Sequence, residues 1–301
     1  MSDSDNTQYM ENMDFSEEIR KRSTFLIERN PKLYIGIPSH SLFIVNILAQ
    51  KCKLDRLDIF LTFKKIKLNL SYRILADDFG IQVARVCNII QKTIPLLAGY
   101  LYPFVQFKSL NDVQEKLPIP FRHRYKNVQC IIDCFEISIQ KPSNPILQSL
   151  SWSEYKGCNA MKYLIACTPN SFISYISSGF GGRTTDKMIV EESTFLAKLD
   201  PGAQVMADRG FKHLENQLLA NNNQLVRPPS VSSSQKSSKN EVTESNRIAS
   251  LRIHVERVIS RIREFSILQP HASVHLSLVK YLDLIVQIVC GIINLQDYLV
   301  K

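Results

Sequence analysis

Three carboxylates in this chain have the type and setting for metal-supported phosphoryl chemistry. They are Asp133 in Ile131-Ile132-Asp133-Cys134-Phe135-Glu136-Ile137, Asp208 in Val205-Met206-Ala207-Asp208-Arg209-Gly210-Phe211, and Glu256 in an arginine-studded amphipathic stretch over residues 248–265. Carboxylate oxygens are the hard ligands that small divalent cations take, and a pair of such cations can clamp the attacking and leaving oxygens of a phosphodiester. Asp133 follows the apolar run 128–132, so it lies well along a buried strand, where a carboxylate is costly without a cation, an arginine or backbone donors. Asp208 ends a strand expected over 204–207, and Gly210 allows a sharp turn into the next helix; ligands gather at such carboxyl ends, although a helix cap is its plainer role. In the third stretch Ile248, Leu251, Val255, Val258, Ile259 and Ile262 recur at helical spacing, which leaves Arg252, Glu256, Ser260 and Arg263 on a polar face. There Glu256 either completes the site or pairs with its helical neighbours. Glu136 points away from Asp133 in a regular strand and is expected to act as a supporting or structural group.

The elements that would position these groups can be read from the surrounding pattern. Strands are expected over 128–139, 161–168, 172–178 and 204–207, with Pro169-Asn170 turning the second into the third as a hairpin. A helix over 186–199 separates the hairpin from the fourth strand, and a crossover of that kind leaves the fourth strand parallel to others in one mixed sheet flanked by helices. The loop Gly179-Phe180-Gly181-Gly182-Arg183-Thr184-Thr185-Asp186-Lys187 admits close backbone approach to a phosphate or forms a tight structural turn, with Thr185 or Asp186 as a helix cap. It lacks the Gly-Lys-Ser/Thr ending of a nucleotide-binding P-loop. Residues 230–239 hold six serines and two lysines and are expected to form a flexible loop. One further helix is expected over 274–299.

Ahead of the sheet, residues 1–30 are polar and charged and are expected to form a mobile arm, with residues 31–117 helical and 118–301 the mixed domain. Ala76, Gly80 and Val86 fall at the spacing of a helix-turn-helix, or of an ordinary helical hairpin. In the former case the second helix runs over about 82–93 and turns Gln82, Arg85, Asn88 and Lys92 outward toward bases or phosphates. Arg247, Arg252, Arg257 and Arg261 share one helix and add phosphate-binding capacity.

The 301 residues carry 37 Lys and Arg against 28 Asp and Glu, a formal charge of +9, and the acidic residues Asp3, Asp5, Glu11, Asp14, Glu17 and Glu18 make the remainder more basic still. A phosphate-rich partner fits that excess, as would a ribosomal or membrane surface. Seven cysteines, without a Cys-x-x-Cys pair, read as reduced thiols. His271 and His275 have zinc-ligand spacing but no cysteine pair before them, so surface histidines are the expectation. The most apolar stretch, 284–293, is too short to span a bilayer, and a soluble protein without a membrane role is expected.

Five motifs together resemble the DDE endonuclease domain of Harbinger-like transposases. They are Ile132-Asp133-Cys134-x-Glu136-Ile137, Trp152-Ser153-x-Tyr155-Lys156, Gly181-Gly182-Arg183-x-Thr185-Asp186-Lys187, Met206 to Phe211, and Arg247 to Arg257. The likeness runs from about residue 128 to 294, and the segment 57–92 is similar to the helix-turn-helix that precedes such nucleases. It implies a ribonuclease-H-like α/β core behind an all-α helix-turn-helix region, with Asp133, Asp208 and Glu256 as catalytic ligands of two Mg2+ or Mn2+ ions. It also implies DNA as partner, both transposon ends and target, contacted by Arg183, Arg252, Arg257 and Arg261 besides the helix-turn-helix residues. A homo-oligomer, a separate Myb-like DNA-binding partner and a nuclear location follow from the same likeness. Two departures stand out: Phe135 replaces the usual threonine on the Asp133 face, where it would crowd the site, and residues 230–239 lack the more apolar family pattern. Domesticated relatives keep the fold without transposition, so a non-catalytic DNA-binding or scaffolding protein is the alternative, and an RNA-processing nuclease a third.

Overall fold

The computed structural model describes residues 3–229 and 238–296, with the side chains of the first helix described from residue 15 onward. The chain divides into two compact units, one made of Met1–Pro103, Arg263–Gln269 and Leu284–Gln296, the other of Phe104–Ile262, Pro270–Asp283 and Asp297–Lys301.

The first unit is helical. Its first helix, α1 (Asp3–Arg29), stands where the composition suggested an unstructured arm. The correction has a tertiary cause: Ile27 is fully buried, Ser23 donates to the carbonyl of Asp78, and Arg20 donates to the carbonyls of Phe79 (3.2 Å) and Gly80 (3.3 Å). Contacts of this kind are invisible to a local reading of polar sequence. After α2 (Pro31–Ile35), α3 (Ile44–Cys52) and α4 (Arg56–Leu68), the helix-turn-helix consists of α5 (Tyr72–Phe79) and α6 (Val83–Leu101). Ser71 caps α5 through the amide of Ile74, and Gly80 ends it at φ +56°, a left-handed conformation that glycine adopts without a Cβ penalty. Ala76 and Val86 are buried where the helices cross. On α6 the buried residues Val86, Ile90, Ile94 and Leu97 keep a helical period.

In the second unit α7 (Leu110–Glu115) carries a full capping box between Ser109 and Asp112. The long strand β1 (Val128–Ser138) follows, then α8 (Pro145–Ser151), β2 (Trp152–Ser153), β3 (Cys158–Cys167), β4 (Ile173–Ile176) and β5 (Phe180–Gly181). Next come α9 (Asp186–Glu192), β6 (Gln204–Met206), a 3-10 helix over Arg209–Leu214, α10 (Glu215–Ala220), β7 (Gln224–Val226) and α11 (Lys239–Arg263). The short α12 (Leu276–Val279) completes this unit, and α13 (Leu282–Asn294) belongs from Leu284 onward to the first.

The main sheet runs β4-β3-β1-β6-β7, with β2 and β5 adding short pieces to β3. β3 is antiparallel to β1 and β4, whereas β6 is parallel to β1 and β7 to β6. Three antiparallel strands followed by two parallel ones is the ribonuclease-H-like arrangement expected, a mixed sheet flanked by helices behind an N-terminal helical region. One sheet face buries Cys130, Ile132, Leu164 and Ala166 against Ile189, Val190, Phe195 and Phe211. The other carries Ile131, Asp133, Phe135 and Ile137.

Several boundaries differ from the sequence expectation, α6 running on to Leu101 among them. The helix after the hairpin stops at Glu192 because Ser193 turns extended and its hydroxyl bonds the carbonyl of Val190, a side-chain competition with helical geometry. The 274–299 stretch is broken into α12 and α13, since Tyr281 closes a turn onto the carbonyl of Leu278. And α11 begins at Lys239 within the segment expected as a loop, whose residues 230–237 lie outside the described residues. Among the described residues no helix is long and apolar enough to cross a membrane.

Candidate active site

Asp133 and Asp208 are brought together by strand register. β1 and β6 run parallel with Ile131 beside Met206. Two residues further along each chain stand Asp133, still within β1, and Asp208, past the end of β6 as the cap of the following 3-10 helix and near enough for its charge to raise the Asp133 pKa. Asp133 accepts a hydrogen bond from the amide of Cys134 (2.8 Å), and Asp208 accepts one from Gly210 (2.7 Å), which shapes the turn after β6. Burial pushes the Asp133 carboxyl up to about 6; the Cys134 amide and the Arg252 cation pull the other way, and the charges of Asp208 and Asp186 push it further.

Glu256 is not drawn into this pair. It is an exposed α11 residue whose carboxylate lies 3.6 Å from Arg252, four residues back on the same helix. Arg252 therefore neutralises both Asp133 and Glu256, and its buried Nε has no hydrogen-bond partner. Among the described residues no three His, Cys, Asp or Glu side chains are grouped closely enough to hold a metal ion. The donor chemistry nevertheless fits a hard divalent cation at Asp133 and Asp208: two neighbouring carboxylates, one of them desolvated, carry an electrostatic excess that such a cation relieves.

A family model described as DDE superfamily endonuclease matches residues 132–294, more than half of the chain. The chain belongs to the DDE superfamily endonucleases. A family model described as helix-turn-helix of DDE superfamily endonuclease matches residues 57–103, so the helical region ahead of the endonuclease domain is the one that accompanies it in the family. No curated protein and no solved structure matches the chain.

Several motifs of this DDE endonuclease meet on the sheet face opposite Asp133. The buried Glu136 accepts a hydrogen bond from Ser153 (2.7 Å), and its backbone carbonyl accepts one from Lys156 (2.8 Å). Lys162, its cross-strand partner on β3, places Nζ 3.9 Å from Glu136 and 2.6 Å from Asp186. Thr185 rather than Asp186 caps α9, accepting from Met188 at 3.3 Å, which frees Asp186 for the lysine. Glu136 is thus a structural anchor, and Lys162 is the residue that motif reading missed: it lies in an apolar strand and has meaning only through its neighbours. The glycine loop is structural as well. A Cβ on Gly181 would stand 2.3 Å from the Leu150 carbonyl and one on Gly182 2.8 Å from that of Ser151, while the amides of Gly182 and Thr184 are spent on Ala160 and Gly181 (both 2.9 Å). Those amides are spent within the fold rather than on a ligand.

Phe135 is 3% exposed and stacks on Tyr163 with ring centroids 5.7 Å apart, so the ring is spent in the core beside the site. Gln82, Arg85, Asn88 and Lys92 are all exposed along α6, as the helical phase requires. Arg183 is exposed and donates to Ser149 (3.1 Å). On α11, Arg247 pairs with Glu244 (3.0 Å) and Arg252 with Glu256, while Arg257 is exposed and Arg261 half-buried. His275 accepts from the Ser277 amide as the cap of α12. All seven cysteines are free.

Proposed function

We propose that this protein is a metal-dependent DNA endonuclease and strand transferase of the Harbinger-like, cut-and-paste type. The observation that carries the reading is the electrostatically coupled pair Asp133 and Asp208, on and just beyond the paired strands β1 and β6, within a DDE superfamily endonuclease domain with its helix-turn-helix ahead of it. Asp133 and Asp208 would hold divalent cations, two of Mg2+ or Mn2+, and Glu256 would complete the set on release from Arg252. When bound, such cations supply Lewis-acid charge to the attacking and leaving oxygens of an in-line displacement. The remaining work belongs to the chain. Asp133, deprotonated above its raised pKa, presents a desolvated anionic oxygen; Gln82, Arg85, Asn88 and Lys92 bind transposon-end DNA through bases and phosphates; and Arg183, Arg257 and Arg261 hold the backbone of end or target DNA. Joining two ends calls for two copies of the chain, with a Myb-like partner supplying further sequence reading, and the work is placed in the nucleus.

One observation favours the second reading, a domesticated DNA-binding protein without turnover: Glu256 faces Arg252 at 3.6 Å rather than Asp133 and Asp208. The two readings separate on one experiment. Full-length protein with Mg2+ should nick or join terminal-repeat DNA, and Asp133→Asn should abolish this while DNA binding persists. If the Asp133→Asn protein cuts as well as the parent, the nuclease assignment fails; binding without cutting by the parent selects the second reading.

A further inference from the structure

The helix-turn-helix holds an unbonded carboxylate beside its outward cations. Asp58 on α4 and Arg85 on α6 line one depression, floored by Leu61, Phe79 and Ile89 and bordered by Arg20 of α1 and by Asp55. Two of its charged groups are committed elsewhere. Asp55 accepts from the amide of Leu57 (2.9 Å) as the cap of α4, and Arg20 donates to the carbonyls of Phe79 and Gly80. Asp58 and Arg85 are left over. Among the described residues the half-buried Asp58 carboxylate has no hydrogen-bond or ion-pair partner, and the exposed Arg85 guanidinium and Lys92 ammonium have none either. Arg85 and Lys92 lie about two turns apart, roughly 10 Å along one face of α6, and both charges act on Asp58. Burial and the Asp55 charge push its carboxyl above the ordinary value, and those two cations pull against them. A partly solvated carboxylate that touches no cation gains only screened attraction, so the arrangement adds little to the fold.

We infer that Asp58 is a specificity-determining residue of the DNA-binding face, a built-in competitor of the phosphate backbone for Arg85 and Lys92. The inference rests on the reading of α6 as the helix that meets DNA. A phosphate approaching this stripe meets cations whose field is already partly cancelled, and it meets Asp58 itself as a like charge. Attraction to any backbone, whatever its sequence, is reduced. The apolar floor of Leu61, Phe79 and Ile89 strengthens the effect, because low-dielectric walls limit screening by water on that side. Gln82 and Asn88, also exposed on α6, are uncharged, so base contacts made by them lose less than phosphate contacts do. Discrimination between sequences rises as a result, since a group that opposes the wrong partners separates affinities as surely as one that favours the right partner.

The test uses the full chain and the fluorescence anisotropy of a labelled duplex of random sequence, at mildly alkaline pH and across a series of KCl concentrations. Asp58→Asn should bind that duplex roughly two- to fivefold more tightly at low salt, the range that a partly exposed charge pair spans, and the gain should shrink as salt screens it. The melting temperature should not fall. In an Arg85→Ala, Lys92→Ala background the same substitution should give less than half the gain on a logarithmic scale, because the cations it would release are gone. Equal affinity of parent and Asp58→Asn protein overturns the inference. So does a gain undiminished in the alanine background, which marks a general effect of net charge, and so does a loss of affinity, which makes Asp58 a group that holds Arg85 in place for DNA. A parent that binds no duplex at any salt concentration removes the helix-turn-helix reading itself, and the inference with it.

Discussion

Asp133 should cost the metal-free protein stability, and removing its charge should return it. The ordinary carboxyl value of 3.8 is raised to about 6 in the folded chain. The native state therefore holds this proton more tightly than the unfolded state, so the contribution is favourable below about pH 4, is lost as pH rises from there to about 6, and is a constant penalty above. The gap of roughly two units corresponds to at most about 3 kcal/mol. Asparagine keeps an acceptor for the Cys134 amide and has no charge to desolvate. In the presence of a chelator, Asp133→Asn should thus raise the melting temperature of the unit that holds it by on the order of 5–10 °C at pH 8, and by little at pH 4. Adding Mg2+ should then raise the parent's melting temperature, since a ligand bound only by the native state stabilises it, and leave the variant's unchanged. Thermal denaturation followed by calorimetry at the two pH values, with and without Mg2+, measures all of this. An Asp133→Asn protein no more stable than the parent at pH 8, or a gain of equal size at pH 4, would refute the account of Asp133 as a desolvated carboxylate awaiting a cation.

Lys162→Met should destabilise the second unit by about 3 kcal/mol or more in urea denaturation, because it leaves the Glu136 and Asp186 carboxylates without their cation. Gly181→Ala should unfold or strongly destabilise the same unit, its Cβ meeting a backbone carbonyl at 2.3 Å, whereas Gly99→Ala, on α6 with nothing within 4 Å, should stabilise by about 0.5–1 kcal/mol. Arg252→Gln should raise the Asp133 pKa further, read by NMR titration of its carboxyl carbon, since the guanidinium charge that lowers it is gone. Arg85→Ala and Lys92→Ala should each reduce the salt dependence of DNA binding by about 0.9 in the log–log slope if each contacts one phosphate.

The sequence by itself determined those features whose causes are local. Caps and glycines marked the helix-turn-helix, as Ser71 and Gly80 show; the apolar run before Asp133 announced a buried strand, and the repeat from Ile248 to Ile262 announced a helix with Glu256 on its polar face. The hairpin and the parallel crossover followed from turn residues and chain length. What only the tertiary structure decided were relations between distant residues. Polar α1 is ordered by carbonyls of the turn region it docks on, Lys162 becomes a buried hub by facing Glu136 across β1 and β3, and the glycine loop proves to be packing because Leu150 and Ser151 stand behind it. The candidate site divides the same way. The types and order of its carboxylates were legible in the chain, but the nearness of Asp133 and Asp208 depends on a strand pairing set by the whole sheet. The turning of Glu256 to Arg252 rather than to them reflects the cheapest partner for an exposed carboxylate, a cation one helical turn away.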